Sequence, residues 1–253
     1  MTNHSLPLDK DTSPDERKGD GGHLESTAKY AVYANPYTGV ASVGPLVERR
    51  PSRGPRRETR LPQTIQSAAR ASRKRLRDHA VFHQLGACLV LTYRQYPNDP
   101  NGDVERFVRK ARPFYSGKLH YAVVTEGAVE PGGIRLHHNV LLPANPALTA
   151  IADNWPHGDV FIGINPTDHD IRRMVNYVSK TFARSKGVSA RCKKSKSKIP
   201  KSSKQVFNNK AEAEASFLSK VPVNASGVSV YMPVSGNRQV VYWDVNPHQI
   251  EHI

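Results

Sequence analysis

Cysteine is nearly missing from this chain: Cys88 and Cys192 stand alone among 253 residues, too few for a disulfide framework or a zinc knuckle. No apolar run approaches the about 20 residues that a membrane span needs. The opening MTNHSLPLDKD has no signal-peptide core. We therefore expect a cytoplasmic protein with no membrane partner. Aromatic residues are sparse at 8 % and hydrophobic residues reach only 38 %, so a packed globule over the whole length is not expected. Acids are scarce as well. There are 22 of them against 37 Lys and Arg, a formal charge of +15, and such a surplus points to a polyanionic partner.

Composition divides the chain unevenly. Residues 1–62 are rich in Pro, Gly, Ser, Asp and Arg without sustained period, and we expect a disordered basic N-terminal region. Within it, ERRPSRGPRRETR gathers six arginines. TIQSAARASRKRLRDH, from Thr64 to His79, has helix formers and a dense basic face with Arg70, Arg73, Lys74, Arg75 and Arg77. Residues 63–185 then alternate strand-like and helix-like runs. ACLVLTYR, GKLHYAVVTEG, GGIRLHHNVLLP and GDVFIGIN read as strands. A helix capped by Asp103 covers VERFVRKA, another covers PALTAIADNW, and a third, capped by Thr167 or Asp168, covers PTDHDIRRMVNYVSKTFAR. The fold class expected is α+β, an antiparallel sheet of about five strands with helices packed on it. Residues 186–205 read as a basic linker and 206–253 as a small C-terminal extension. In that extension NKAEAEASFLSK predicts a short helix, SVYMPV and QVVYWDV predict a hairpin, and Trp243 is assigned to core packing.

Two motifs carry chemistry. In HHN, strand alternation puts His137 and Asn139 on one face and His138 on the other. Glu126 ends the preceding strand, and pairing of the two strands would bring it to the His137/Asn139 face. An imidazole nitrogen, an amide oxygen and a carboxylate suit Mg²⁺ or Mn²⁺; the alternative is a strand histidine held by hydrogen bonds. In the last helix, Ile171, Met174, Val175, Val178 and Phe182 form one apolar stripe. Arg173, Tyr177, Lys180 and Arg184 gather almost opposite it. A tyrosine among cations attracts a phosphodiester; the alternative is a tyrosine on a solvated basic face.

The ordered set LVLTYR, a Glu-bearing strand, GGIRLHHNVLL, WPHG and NYVSK resembles the HUH endonucleases, above all the rolling-circle replication initiators of plasmids and phages. The resemblance spans residues 85–185, with the histidine motif ahead of the tyrosine helix. It implies a divalent cation at the scissile phosphate of single-stranded or hairpin origin DNA, and a tyrosine that leaves a 5′-phosphotyrosyl link and a free 3′-hydroxyl. Carried over, Tyr177 is the nucleophile and Lys180 orients DNA or stabilises charge. His137 and Asn139 are metal ligands, with Glu126 the candidate for a third. Arg135, Arg173 and Arg184 would contact DNA; Tyr93 and Arg94, after the first strand, would stack on or clamp it, and a structural role explains them equally well. Trp155 and His157 match the family near a strand edge, and a buried Trp and a turn His explain them equally well. No Walker-type loop is present, so a host helicase and polymerase are the implied partners.

Two positions depart from the family pattern. Asn139 stands where a second histidine is expected, and a register shift would exchange His137 for His138. Thr181 stands where several phage relatives carry a second tyrosine, so one nucleophile is expected. Two other readings stay open: a single-tyrosine transposase acting on hairpin ends, and a non-catalytic nucleic-acid-binding protein, whether a decayed initiator or a packaging protein.

Overall fold

The computed structural model describes residues 29–46, 62–127, 136–183, 191–232 and 238–245. The chain is α+β, with two antiparallel five-stranded sheets. Among the described residues no helix is long and apolar enough to cross a membrane.

The hairpin β1 (Tyr30–Asn35) and β2 (Val40–Pro45) opens the structure. Its turn is closed by the Asn35 side chain, which accepts from Tyr37 N–H, and by Gly39 at φ 53°. Any Cβ at Gly39 would meet the Trp243 carbonyl oxygen, so only glycine fits. This hairpin corrects the expected disorder of residues 1–62. YAVYAN and VASVGP are β-formers whose strand partners lie more than 150 residues away, and averaging over a polar region hid them. The arginines of ERRPSRGPRRETR up to Arg60 lie outside the described residues.

After α1 (Pro62–Phe82) come β3 (Ala87–Thr92), α2 (Pro100–Ala111), β4 (Ala122–Glu126), β5 (His137–Leu142), α3 (Leu148–Ala152), β6 (Val160–Ile164) and α4 (Asp168–Val178). The cap of α2 is Asp99, whose side chain accepts from Gly102 N–H, with Pro100 opening the helix. Asp103 is therefore inside the helix, a correction that follows from the preference for Pro in the first turn. Thr167 caps α4, accepting from Asp170 N–H. The helix ends at Val178, and Lys180 begins a short 3-10 turn, Lys180–Ala183.

The predicted linker is a second correction. It contains β7 (Arg191–Lys194) and the start of β8 (Ser203–Phe207). Lysines extend readily when a strand edge is free to pair, and β7 lies antiparallel to β4. The chain closes with α5 (Lys210–Leu218), β9 (Ser229–Tyr231) and β10 (Gln239–Tyr242). β9 and β10 pair as expected, but they are no separate extension, since they complete the sheet begun by β1 and β2.

The first sheet has the order β6-β3-β5-β4-β7 and the second β8-β1-β2-β10-β9. Leu89, Leu91, Val123, Val140 and Leu142 on one face of the first sheet pack with Val104, Phe107 and Val108 of α2 and Ile151 of α3. Cys88, Val124 and Leu141 on the other face pack with Leu76 and Ala80 of α1 and with Ile171, Met174, Val175 and Val178 of α4. α5 covers one face of the second sheet, where Phe217 meets Val32, Val43, Val241 and Trp243; Trp243 is buried, as expected.

Candidate active site

The β-ladder builds the site. In β4 and β5, Glu126 stands directly opposite His137, and Val124 opposite Asn139. His137 Nε2 lies 3.2 Å from Glu126 Oε2, and both side chains are largely shielded. Asn139 is buried, two residues farther along the same face, between Val90 of β3 and Val124 of β4. That face is the one covered by α1 and α4.

His138 points the other way, as alternation requires. It is fully buried, with the Tyr93 hydroxyl 2.9 Å from Nε2 and the Thr125 hydroxyl 2.8 Å from Nδ1. Burial holds its imidazole down to about 4. Both ring nitrogens are engaged within the core, so the register leaves His137, not His138, on the face of Glu126.

α4 packs on that face of the sheet. The chain leaves β6 at Ile164, opposite Ala87 and far from His137; Asn165 N–H donates to the Gly86 carbonyl there. It re-enters at Arg191 beside Thr125, the His137 end. The C-terminal turn of α4 packs against α1, where Arg73 reaches the Ser179 carbonyl. Tyr177 occupies that turn and is 65 % exposed. Lys180 Nζ sits 3.8 Å from the centre of the Tyr177 ring, a cation–π contact that holds a positive charge beside the phenol. Arg173 is exposed on the same helix. Arg73 of α1 donates to the Ser179 carbonyl, joining the basic helix to the end of α4, where cations complement the helix dipole.

The expected DNA contacts divide. Arg94 is exposed and pairs with Asp159 at 3.5 Å. Tyr93 is buried, with its hydroxyl committed to His138, so it cannot stack on a base; this corrects its assignment. It packs in the core with Val104 and Phe107 of α2, edge-on to Trp155. Arg135 and Arg184 lie outside the described residues. Trp155 is buried and donates from its indole to the Thr92 carbonyl at 2.7 Å.

Sequence reasoning missed two groups. Asp103 is buried and pairs with Arg106 and with His157 Nε2, the latter at 3.3 Å. Arg172 is buried between the two sheets. It donates to the carbonyls of Thr38 at 3.1 Å and Trp243 at 2.8 Å and approaches Asp244 at 3.8 Å. A helical arginine beside an apolar stripe gives no signal that a second sheet covers it.

The donor set fits a hard divalent cation: one imidazole, one carboxylate and one amide oxygen on one face of one sheet. Among the described residues no group of three or more His, Cys, Asp or Glu side chains forms a metal site, and the further oxygen on that face is the amide of the buried Asn139. No family model, curated protein or solved structure matches this chain.

Proposed function

We infer that the chain is a metal-dependent, single-tyrosine endonuclease that nicks single-stranded origin DNA to start rolling-circle replication. The observation that carries the reading is the shared face. His137, Glu126 and Asn139 lie on the sheet face that α1 and α4 cover, and α4 bears Tyr177 with Lys180 beside its ring.

His137, Glu126 and Asn139 would hold Mg²⁺ or Mn²⁺, which supplies neutralisation and polarisation of the scissile phosphate. The Tyr177 hydroxyl gives up its proton and attacks phosphorus. The bond to the 3′-oxygen breaks, that oxygen takes up a proton as a free 3′-hydroxyl, and the 5′-phosphate stays on the tyrosine. Lys180 beside the ring stabilises the developing negative charge. Exposed bases on α1 and α4 bind the flanking phosphates. A single tyrosine on α4 makes one nick per subunit, and strand unwinding falls to a host helicase.

Asn139 also favours a second reading. An amide in place of a charged or imidazole ligand weakens cation binding, as in a decayed initiator that binds DNA without cutting it. A covalent-adduct assay separates the two. The chain is incubated with single-stranded oligonucleotides tiling its replicon and with Mn²⁺, then run on a denaturing gel. An adduct that disappears with Tyr177→Phe and with EDTA establishes the nuclease. Salt-sensitive binding with no adduct on any oligonucleotide establishes the binding protein.

A further inference from the structure

α5 covers one face of the second sheet, and α1 and α4 reach the opposite face at its Tyr242 end, where Arg77 and Arg172 lie over the tyrosine ring. Along that opposite face, strand register sets the side chains in transverse rows. One row runs Lys204, Tyr33, Ser42, Val240 and Tyr231 across all five strands. The neighbouring row carries Val206, Ala31 and Gly44, and Arg238 reaches over it to donate to Ser42 Oγ at 2.8 Å. Tyr33, Val206 and Tyr231 are 37 %, 47 % and 60 % exposed.

We propose that this face is a second binding surface, a stacking platform for single-stranded nucleic acid. The residues between the tyrosines are small and low: Ala31 and Ser42 are buried, with Arg238 lying on Ser42, so the rings of Tyr33 and Tyr231 stand above them. Tyr33 and Tyr231 are three strand spacings apart, about 14 Å, a span that an extended strand covers in a few nucleotides. Rings at that separation receive bases, and Lys204 and Arg238 meet the phosphates. Lys204 already lies over the Tyr33 ring, 5.9 Å from its centre. No acidic side chain stands on these rows. Charge complementarity extends beyond them, since the connector between β7 and β8 adds Lys196, Lys198 and Lys201 and no acid. Pro200 within it is tied to this sheet by the Asn35 amide, which donates to the Pro200 carbonyl at 3.0 Å. Aromatic rings with lysines and arginines suit a strand whose bases are unpaired. A duplex keeps its π-faces stacked internally and would meet only the charges.

The surface is independent of the nicking chemistry, which Tyr177→Phe and EDTA remove from its test. The full chain carrying Tyr177→Phe is titrated, in EDTA, into a fluorescein-labelled oligothymidylate and into a labelled duplex, and anisotropy is read at several salt concentrations. Tyr33→Ala and Tyr231→Ala are each expected to weaken single-strand binding about tenfold, with duplex binding unchanged. Phe at either position retains the affinity. Lys204→Ala with Arg238→Ala lowers the slope of log K against log salt by about 1.4. Tyr231 is exposed on an edge strand, so its removal leaves the fold in place. If Tyr231→Ala binds oligothymidylate as tightly as its parent, or loses equally on duplex, the proposal is overturned. Protection of β9 from hydrogen exchange that grows with protein concentration, without oligonucleotide, assigns the face to a second copy and overturns it as well.

Discussion

Arg172 shows how much one side chain can hold. Its guanidinium is buried against the Thr38, Gly39 and Trp243 carbonyls, with Asp244 at 3.8 Å, and it spans from α4 of the first sheet's helix layer to the second sheet. Arg172→Met leaves those carbonyls without their donor and the Asp244 carboxylate without its ion-pair partner. The expected loss is about 3 kcal/mol, read as a lower denaturant midpoint, with the two sheets unfolding in separate transitions. Tyr177 is the opposite case: exposed, it contributes its chemistry and little packing. Tyr177→Phe is expected to abolish the covalent DNA adduct while leaving the melting temperature unchanged. Two buried histidines and the half-buried His83 give the fold a pH dependence. Burial holds His79 and His138 down to about 4 and His83 down to about 3, below the ordinary value near 6.5. The unfolded chain therefore binds more protons than the folded one between those values. Stability is full above about pH 6.5 and falls as pH drops toward 4. Denaturant midpoints measured across this range should decline, and His138→Gln should flatten the decline even though it lowers stability at neutral pH.

At the scale of elements, α4 is the piece on which the reading depends, because it joins the second sheet at its first turns and presents Tyr177 at its last. Thr167 fixes where it starts, since its hydroxyl accepts from Asp170 N–H. Thr167→Ala is expected to cost about 1 kcal/mol, visible as a lower melting temperature, and to slow adduct formation by loosening the far end. This helix was largely legible in the residues: its cap, its apolar stripe and the opposite placement of Tyr177 all follow from a period of 3.6. Its end was not. Lys180 falls in the 3-10 turn, and helix termini are set by contacts such as Arg73 with the Ser179 carbonyl that no local pattern announces. β5 was equally legible. HHN divides its side chains between two faces whatever the register, and pairing with β4 supplied Glu126.

For the whole molecule, the net charge of +15 predicts binding to single-stranded DNA that falls steeply with salt. Removing residues 1–46 deletes two of the three inner strands of the second sheet. We expect that truncation to expose Phe217, Val241 and Trp243, to bind a hydrophobic dye and to aggregate; a trimmed disordered arm would do neither. Local periodicity and composition were enough to determine the α+β class, the strand bearing HHN, the helix bearing Tyr177 and the basic character, because each depends on neighbours within a turn or a strand. Only the tertiary structure decided that YAVYAN is a strand, that Arg191–Lys194 completes the first sheet, that Tyr93 is core and that Arg172 joins the two sheets. A β-strand is stabilised by partners that can lie anywhere in the chain, and burial of a polar side chain depends on which surface comes to cover it.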